Sequence, residues 1–98
     1  MCEVKGMENY VLEIPENFTV DEVAKFRVEV KERIDKGTVN YIFDFARCEF
    51  IDSTGLGALV SVYKRCAEHN GSIKLRNLKE EVRKLFELTR LDKVFEIF

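Results

Sequence analysis

The sequence predicts a small α/β domain: a mixed, mostly parallel β-sheet with an antiparallel N-terminal edge and helices packed against it. Three observations carry this. Segments with a two-residue hydrophobic period alternate with segments of helical period. The run "VNYIFDF" from Val39 to Phe45 is almost continuously apolar, as a central strand covered on both faces must be. Helix start and stop residues sit at the boundaries between segments. With 98 residues the chain has room for one such domain, and a 46% hydrophobic share is enough for a core.

The elements follow in order. "CEVKG" is a short first strand, joined through Met7-Glu8-Asn9 to "YVLEI" (Tyr10 to Ile14), whose alternation predicts a strand that Pro15 closes. Thr19 and Glu22 form a capping box for a helix carrying Val23, Phe26, Val30 and Ile34 on one face, ended by Lys36-Gly37. After the apolar run comes "FIDSTGLGALV" (Phe50 to Val60), opening a second helix with a stripe of Leu56, Leu59, Val60, Tyr63 and Ala67. Asn70-Gly71 stops that helix, and "SIKLR" (Ser72 to Arg76) alternates as a strand. Asn77 and Glu80 give the start signal of a third helix with Val82, Leu85, Phe86 and Thr89 on one face, and "VFEIF" (Val94 to Phe98) is the last strand.

Composition narrows the function classes. A net charge of −2 without a basic block gives nucleic-acid binding little electrostatic support. No apolar run reaches the roughly 18 residues of a membrane span, and the N-terminus lacks a leader pattern, so a cytosolic protein is expected. Cys2, Cys48 and Cys66 are an odd set without metal-type spacing and read as free thiols. His69 reads as a solvated residue at a helix C-terminus, and no partners for a metal accompany it.

The chemistry concentrates at Asp52-Ser53-Thr54-Gly55. A serine nucleophile needs a base within hydrogen-bond reach. The sole histidine, His69, is sixteen residues on, about 24 Å along a helix at 1.5 Å per residue. Nor is the setting G-x-S-x-G. Gly55 and Gly57 do not complete a phosphate-binding loop, and two glycines also let a helix start close against a strand. No enzyme activity and no cofactor are expected. Asp52, Ser53 and Thr54 are all good N-caps, and one of them caps the helix; on pattern alone, capping accounts for this stretch as well as any further function does.

The segment "FARCEFIDSTGLGALVSVYKRC", with "YIFDF" before it and "NGSIKLRNLKEEVRKLFELTRLDKVFEIF" after it, resembles the STAS domains of bacterial anti-sigma factor antagonists. The resemblance runs from Tyr10 to Phe98 and centres on the D-S-[ST]-G-L-G core. It implies a phosphorylation switch at Ser53. The unmodified protein binds a serine kinase that is also an anti-sigma factor and frees a sigma factor. Phosphorylation releases the partner, and a serine phosphatase of the metal-dependent class restores binding. The alternative is a STAS scaffold or sensor module without phosphoryl switching. On this reading partners contact Asp52, Ser53, Thr54 and Gly55, the loop Glu16 to Thr19, and the helix face of Gly57, Ser61 and Lys64. The sequence departs from the family where Gly-Glu-Leu-Asp is replaced by "PENFT", with Thr19 in the last, acidic place and Asp21 nearby. It also stops at Phe98, where many members continue into a fourth helix. Either this member lacks that helix or the chain is truncated; in its absence Phe95 and Phe98 are expected to leave an apolar patch for self-association.

Overall fold

The computed structural model describes residues 9–98. The order is β1 (Tyr10–Glu13), β2 (Asn17–Phe18), α1 (Val20–Asp35), β3 (Asn40–Asp44), β4 (Phe50–Ile51), α2 (Ser53–Glu68), β5 (Ser72–Arg76), α3 (Glu80–Leu88), a 3-10 turn (Leu91–Lys93) and β6 (Glu96–Ile97). The expected strand at Cys2 to Gly6, and with it the antiparallel edge, lies outside the described residues.

The main sheet has the order β1-β3-β5-β6, and every pair in it is parallel. The chain therefore advances one strand at a time in one direction. Right-handed crossovers then put all three helices on the same face. Among the described residues no strand order reverses, so these four strands form none of the crevice that doubly wound folds offer to nucleotides. Tyr41, Phe43, Phe45, Ile73, Leu75 and Ile14 are buried on the helix side. The opposite face carries the row Val11, Ile42, Lys74 and Glu96, in register across all four strands. None of that row is buried, and Val11 is 44% exposed. The expectation that β3 is covered on both faces is thus corrected: its apolar run reflects Tyr41, Phe43 and Phe45 pointing one way and a half-buried Ile42 the other.

Helix ends show which local signals operate. Thr19 occupies the N-cap of α1, but its side chain makes no capping bond, so the predicted capping box does not form. Backbone pairing of Val23 N–H with Thr19 O (2.8 Å) and acidic residues Asp21 and Glu22 in the first turn hold that end instead. Gly37, with φ of 102°, ends α1 with the paired bonds Gly37 N–H to Ile34 O and Thr38 N–H to Arg33 O. Asn70 takes the same left-handed role after α2. The N-cap of α3 is Lys79, not Asn77. Asn77 has positive φ and donates to Asp44 Oδ1 across the strand ends.

The α2 stripe is also rotated from the expected one. Gly55, Ala58, Leu59, Val62 and Cys66 are buried; Leu56, Val60 and Tyr63 are half-buried, and Ala67 is exposed. Small residues face the sheet because they set how closely the helix approaches it. Thr89, expected on the inner face of α3, is exposed, and its hydroxyl donates to Leu85 O (2.9 Å) at the helix end. Two aromatic chains tie the layers together: Phe18 to Phe26 to Phe43, and Phe45 to Phe86 to Phe95 to Tyr63. Phe95 is therefore core, and the expected patch with Phe98 reduces to Phe98 alone.

Candidate functional site

β4 runs straight through Asp52 into α2. Asp52 is extended (φ −110°, ψ −174°), and its Oδ1 accepts the Gly55 N–H at 3.1 Å. Its backbone carbonyl accepts from Leu56 N–H at 3.0 Å. Asp52 therefore caps the helix, which resolves the choice among the three hydroxyl and carboxyl side chains. Ser53 and Thr54 are left exposed, and their hydroxyls make no hydrogen bond among the described residues. The first turn of α2 holds no acidic residue, unlike that of α1. Ser53 thus presents a free hydroxyl beside the first backbone N–H groups of a sixteen-residue helix, where an added anion meets the positive end of the dipole.

A second, two-stranded sheet brings the loop before α1 to this point. β2 pairs parallel with β4, Asn17 opposite Phe50 and Phe18 opposite Ile51. The Glu16 carbonyl accepts from Glu49 N–H (2.8 Å) and Phe50 N–H (3.1 Å). Continuing that register sets Thr19 level with Asp52, so the N-termini of α1 and α2 stand together. Two-residue strands have no periodicity, and nothing in the sequence pattern announced them.

Of the residues expected to contact partners, Asp52, Ser53, Thr54, Thr19, Gly57, Ser61 and Lys64 are at least partly exposed. Ser53, Gly57, Ser61 and Lys64 follow at intervals of four, four and three and form one ridge along α2. Gly55 departs from the expected set. It is buried, and a Cβ there would lie 2.7 Å from Phe18 O and 2.8 Å from Ile51 Cγ1. It supports the site from beneath, letting α2 rest on the β2–β4 ladder. Gly57 has open space around it.

The other chemically notable side chains lie in different surroundings. His69 is exposed at the far end of α2. Cys48 and Cys66 are free and buried; burial raises both thiols, Cys66 to about 11. Burial also pushes the Tyr41 hydroxyl upward, and it donates to Thr38 O at 2.9 Å. Asp44 sits at the ends of β3 and β5. Burial works against its charge, yet hydrogen bonds from Ala46 N–H, Asn77 and Arg76, with the Arg76 charge, hold its carboxyl below the usual range. Among the described residues no group of three or more His, Cys, Asp or Glu is placed to hold a metal, and no helix is long and apolar enough to cross a membrane.

The site is thus built on a sheet of parallel strands, at a helix start that a carboxylate caps and an exposed serine follows. The STAS domain family model matches residues 2–98, and the chain belongs to that family. It is 42% identical over 48 residues to the anti-sigma-B factor antagonist of Bacillus subtilis, a stretch covering 49% of this chain and 44% of that protein. Among solved structures it is similar to the anti-sigma factor antagonist SpoIIAA in its unphosphorylated form (TM-score 0.81, 22% identity, 94% of this chain and 83% of that one). It is also similar to the Bacillus cell fate determinant SpoIIAA in the phosphorylated form (TM-score 0.73, 22% identity, 90% and 80%). At that identity the two structures establish the fold.

Proposed function

We propose that this protein is an anti-sigma factor antagonist switched by phosphorylation of Ser53. The observation that carries the reading is the division of labour at the start of α2: Asp52 does the capping, and Ser53 keeps an exposed, unbonded hydroxyl. In the unmodified state the ridge of Ser53, Gly57, Ser61 and Lys64, with Thr19 and Thr54 beside it, binds an anti-sigma factor that is also a serine kinase and so frees its sigma factor. The kinase supplies the catalytic residues, and the Ser53 hydroxyl attacks the γ-phosphorus of its ATP, giving phosphoserine and ADP. A metal-dependent serine phosphatase reverses the modification. The relatives support the reading, since one is an anti-sigma-B factor antagonist and another has a structure in a phosphorylated form.

The phosphate acts at the interface. It brings about −1.5 to −2 charges to a helix N-terminus, a place that favours anions by roughly 0.3–1 kcal/mol, so the fold is left intact. A partner surface shaped for a neutral hydroxyl next to Asp52 meets repulsion and a desolvation cost. The test is to incubate the protein with ATP and the anti-sigma factor kinase of its own cell and to map the label by mass spectrometry. The expected result is a single phosphate on Ser53 and none on Ser53→Ala; label on Thr54 in Ser53→Ala at the native rate overturns the assignment.

A further inference from the structure

A groove of about 240 Å³ opens between β4 and α3. Its walls are Phe50, Ile51, Val82, Leu85 and Leu88, and its rim carries Glu49, Glu81 and Lys84. Leu88 is 81% exposed and Phe50 54% exposed. Large apolar side chains held in water around a concave surface are the mark of a contact site. The volume lies below the roughly 300 Å³ at which small-molecule pockets begin, and it suits an inserted side chain better than a cofactor. A large aromatic buries only about 150–250 Å², so Phe50 and Leu88 fall well short of the roughly 800 Å² per partner of a stable interface on their own. The groove is thus an annex to a larger contact. The larger surface beside it is the start of α2, because Phe50 precedes Asp52 by two residues on the same extended stretch. The exposed Glu49–Lys79 ion pair (3.7 Å) spans from the residue before β4 to the N-cap of α3.

We propose that this β4–α3 groove receives an apolar anchor side chain of the same partner that engages Ser53, an aliphatic or aromatic residue with polar neighbours that meet Glu49, Glu81 and Lys84. The inference rests on the reading of Ser53 as a partner-contact residue. Ser53 sets whether the partner is held, and the groove supplies affinity independent of the phosphate, as buried anchors do in other interfaces.

The experiment uses the kinase that labels Ser53, titrated against the unmodified protein and its Phe50→Ser and Leu88→Ser variants, with Val11→Ser on the open sheet face as control. Circular dichroism and melting establish that each variant is folded. The expected result is a Kd raised about tenfold or more in Phe50→Ser and Leu88→Ser and unchanged in Val11→Ser, with the methyl resonances of Leu85 and Leu88 shifting when the kinase is added. A Kd within twofold of the parent in both groove variants, or methyl resonances that stay in place, overturns the proposal while leaving phosphorylation of Ser53 intact. A concentration-dependent dimer that Leu88→Ser abolishes assigns the groove to a second copy and also overturns it. Failure of any kinase to label Ser53 refutes the parent reading instead.

Discussion

Gly55 in α2 lies directly against Phe18 in β2, so close that the smallest side chain at position 55 would sit 2.7 Å from the Phe18 carbonyl. That contact fixes the loop before α1 beside the start of α2. It predicts opposite outcomes for two glycines two residues apart. Gly55→Ala forces backbone apart and costs about 1–3 kcal/mol, as overpacking does. Gly57→Ala has nothing within 4 Å to meet and gains up to about 1 kcal/mol from helix propensity. Urea unfolding of the two variants measures both.

The two N-caps predict a second contrast. Asp52 bonds the Gly55 N–H, whereas Thr19 makes no side-chain cap. Asp52→Ala therefore loses about 1 kcal/mol, within the usual range for a removed cap, and Thr19→Ala loses less than about 0.5 kcal/mol. Amide exchange at the first turn of α2 should rise in Asp52→Ala alone.

Asp44 predicts a pH dependence. Its folded pKa is depressed, so the stability it contributes is fully present above the unfolded value of about 3.9. It is lost as pH falls from there through the lower folded value. Asp44→Asn removes the charge-assisted bond to Arg76 and should cost about 1.5–3 kcal/mol at pH 7. The gap between the variant and the parent should narrow as pH falls below 4. Denaturation midpoints at pH 7, 5 and 3 check the sign, and a gap that widens in acid contradicts it.

Much of this architecture was legible in the chain because the longer elements repeat their signals. β1, α1, α2 and β5 announce themselves by period and β3 by its apolar run, and Lys36-Gly37 and Asn70-Gly71 end their helices as read. What escaped lacks a period or depends on distance in space. β2 and β4 are two residues each, and the 3-10 turn at Leu91–Lys93 is three, so no alternation can reveal them. The buried face of α2 is Gly55, Ala58 and Cys66 as much as Leu59 and Val62, because closeness to the sheet selects small side chains over the larger Leu56 and Tyr63. Asn77 looked like a cap by residue type, but tertiary pairing with Asp44 claimed its side chain. At the site, the sequence pattern left Asp52, Ser53 and Thr54 equivalent as caps, and only the Oδ1 bond to Gly55 separated them. The groove of Phe50 and Leu88 joins residues 38 positions apart in sequence and could not be seen in one dimension.

The central claim is that a phosphate on Ser53 releases the partner without altering the fold. The most direct measurement is the affinity of the anti-sigma factor kinase for the unmodified and Ser53-phosphorylated proteins, taken with the melting temperature of each. An interface penalty of about 4 kcal/mol corresponds to a Kd on the order of a thousandfold weaker, with a melting temperature that is unchanged or slightly raised. Equal affinity of the two forms, or weaker binding accompanied by a large fall in melting temperature, would contradict the account.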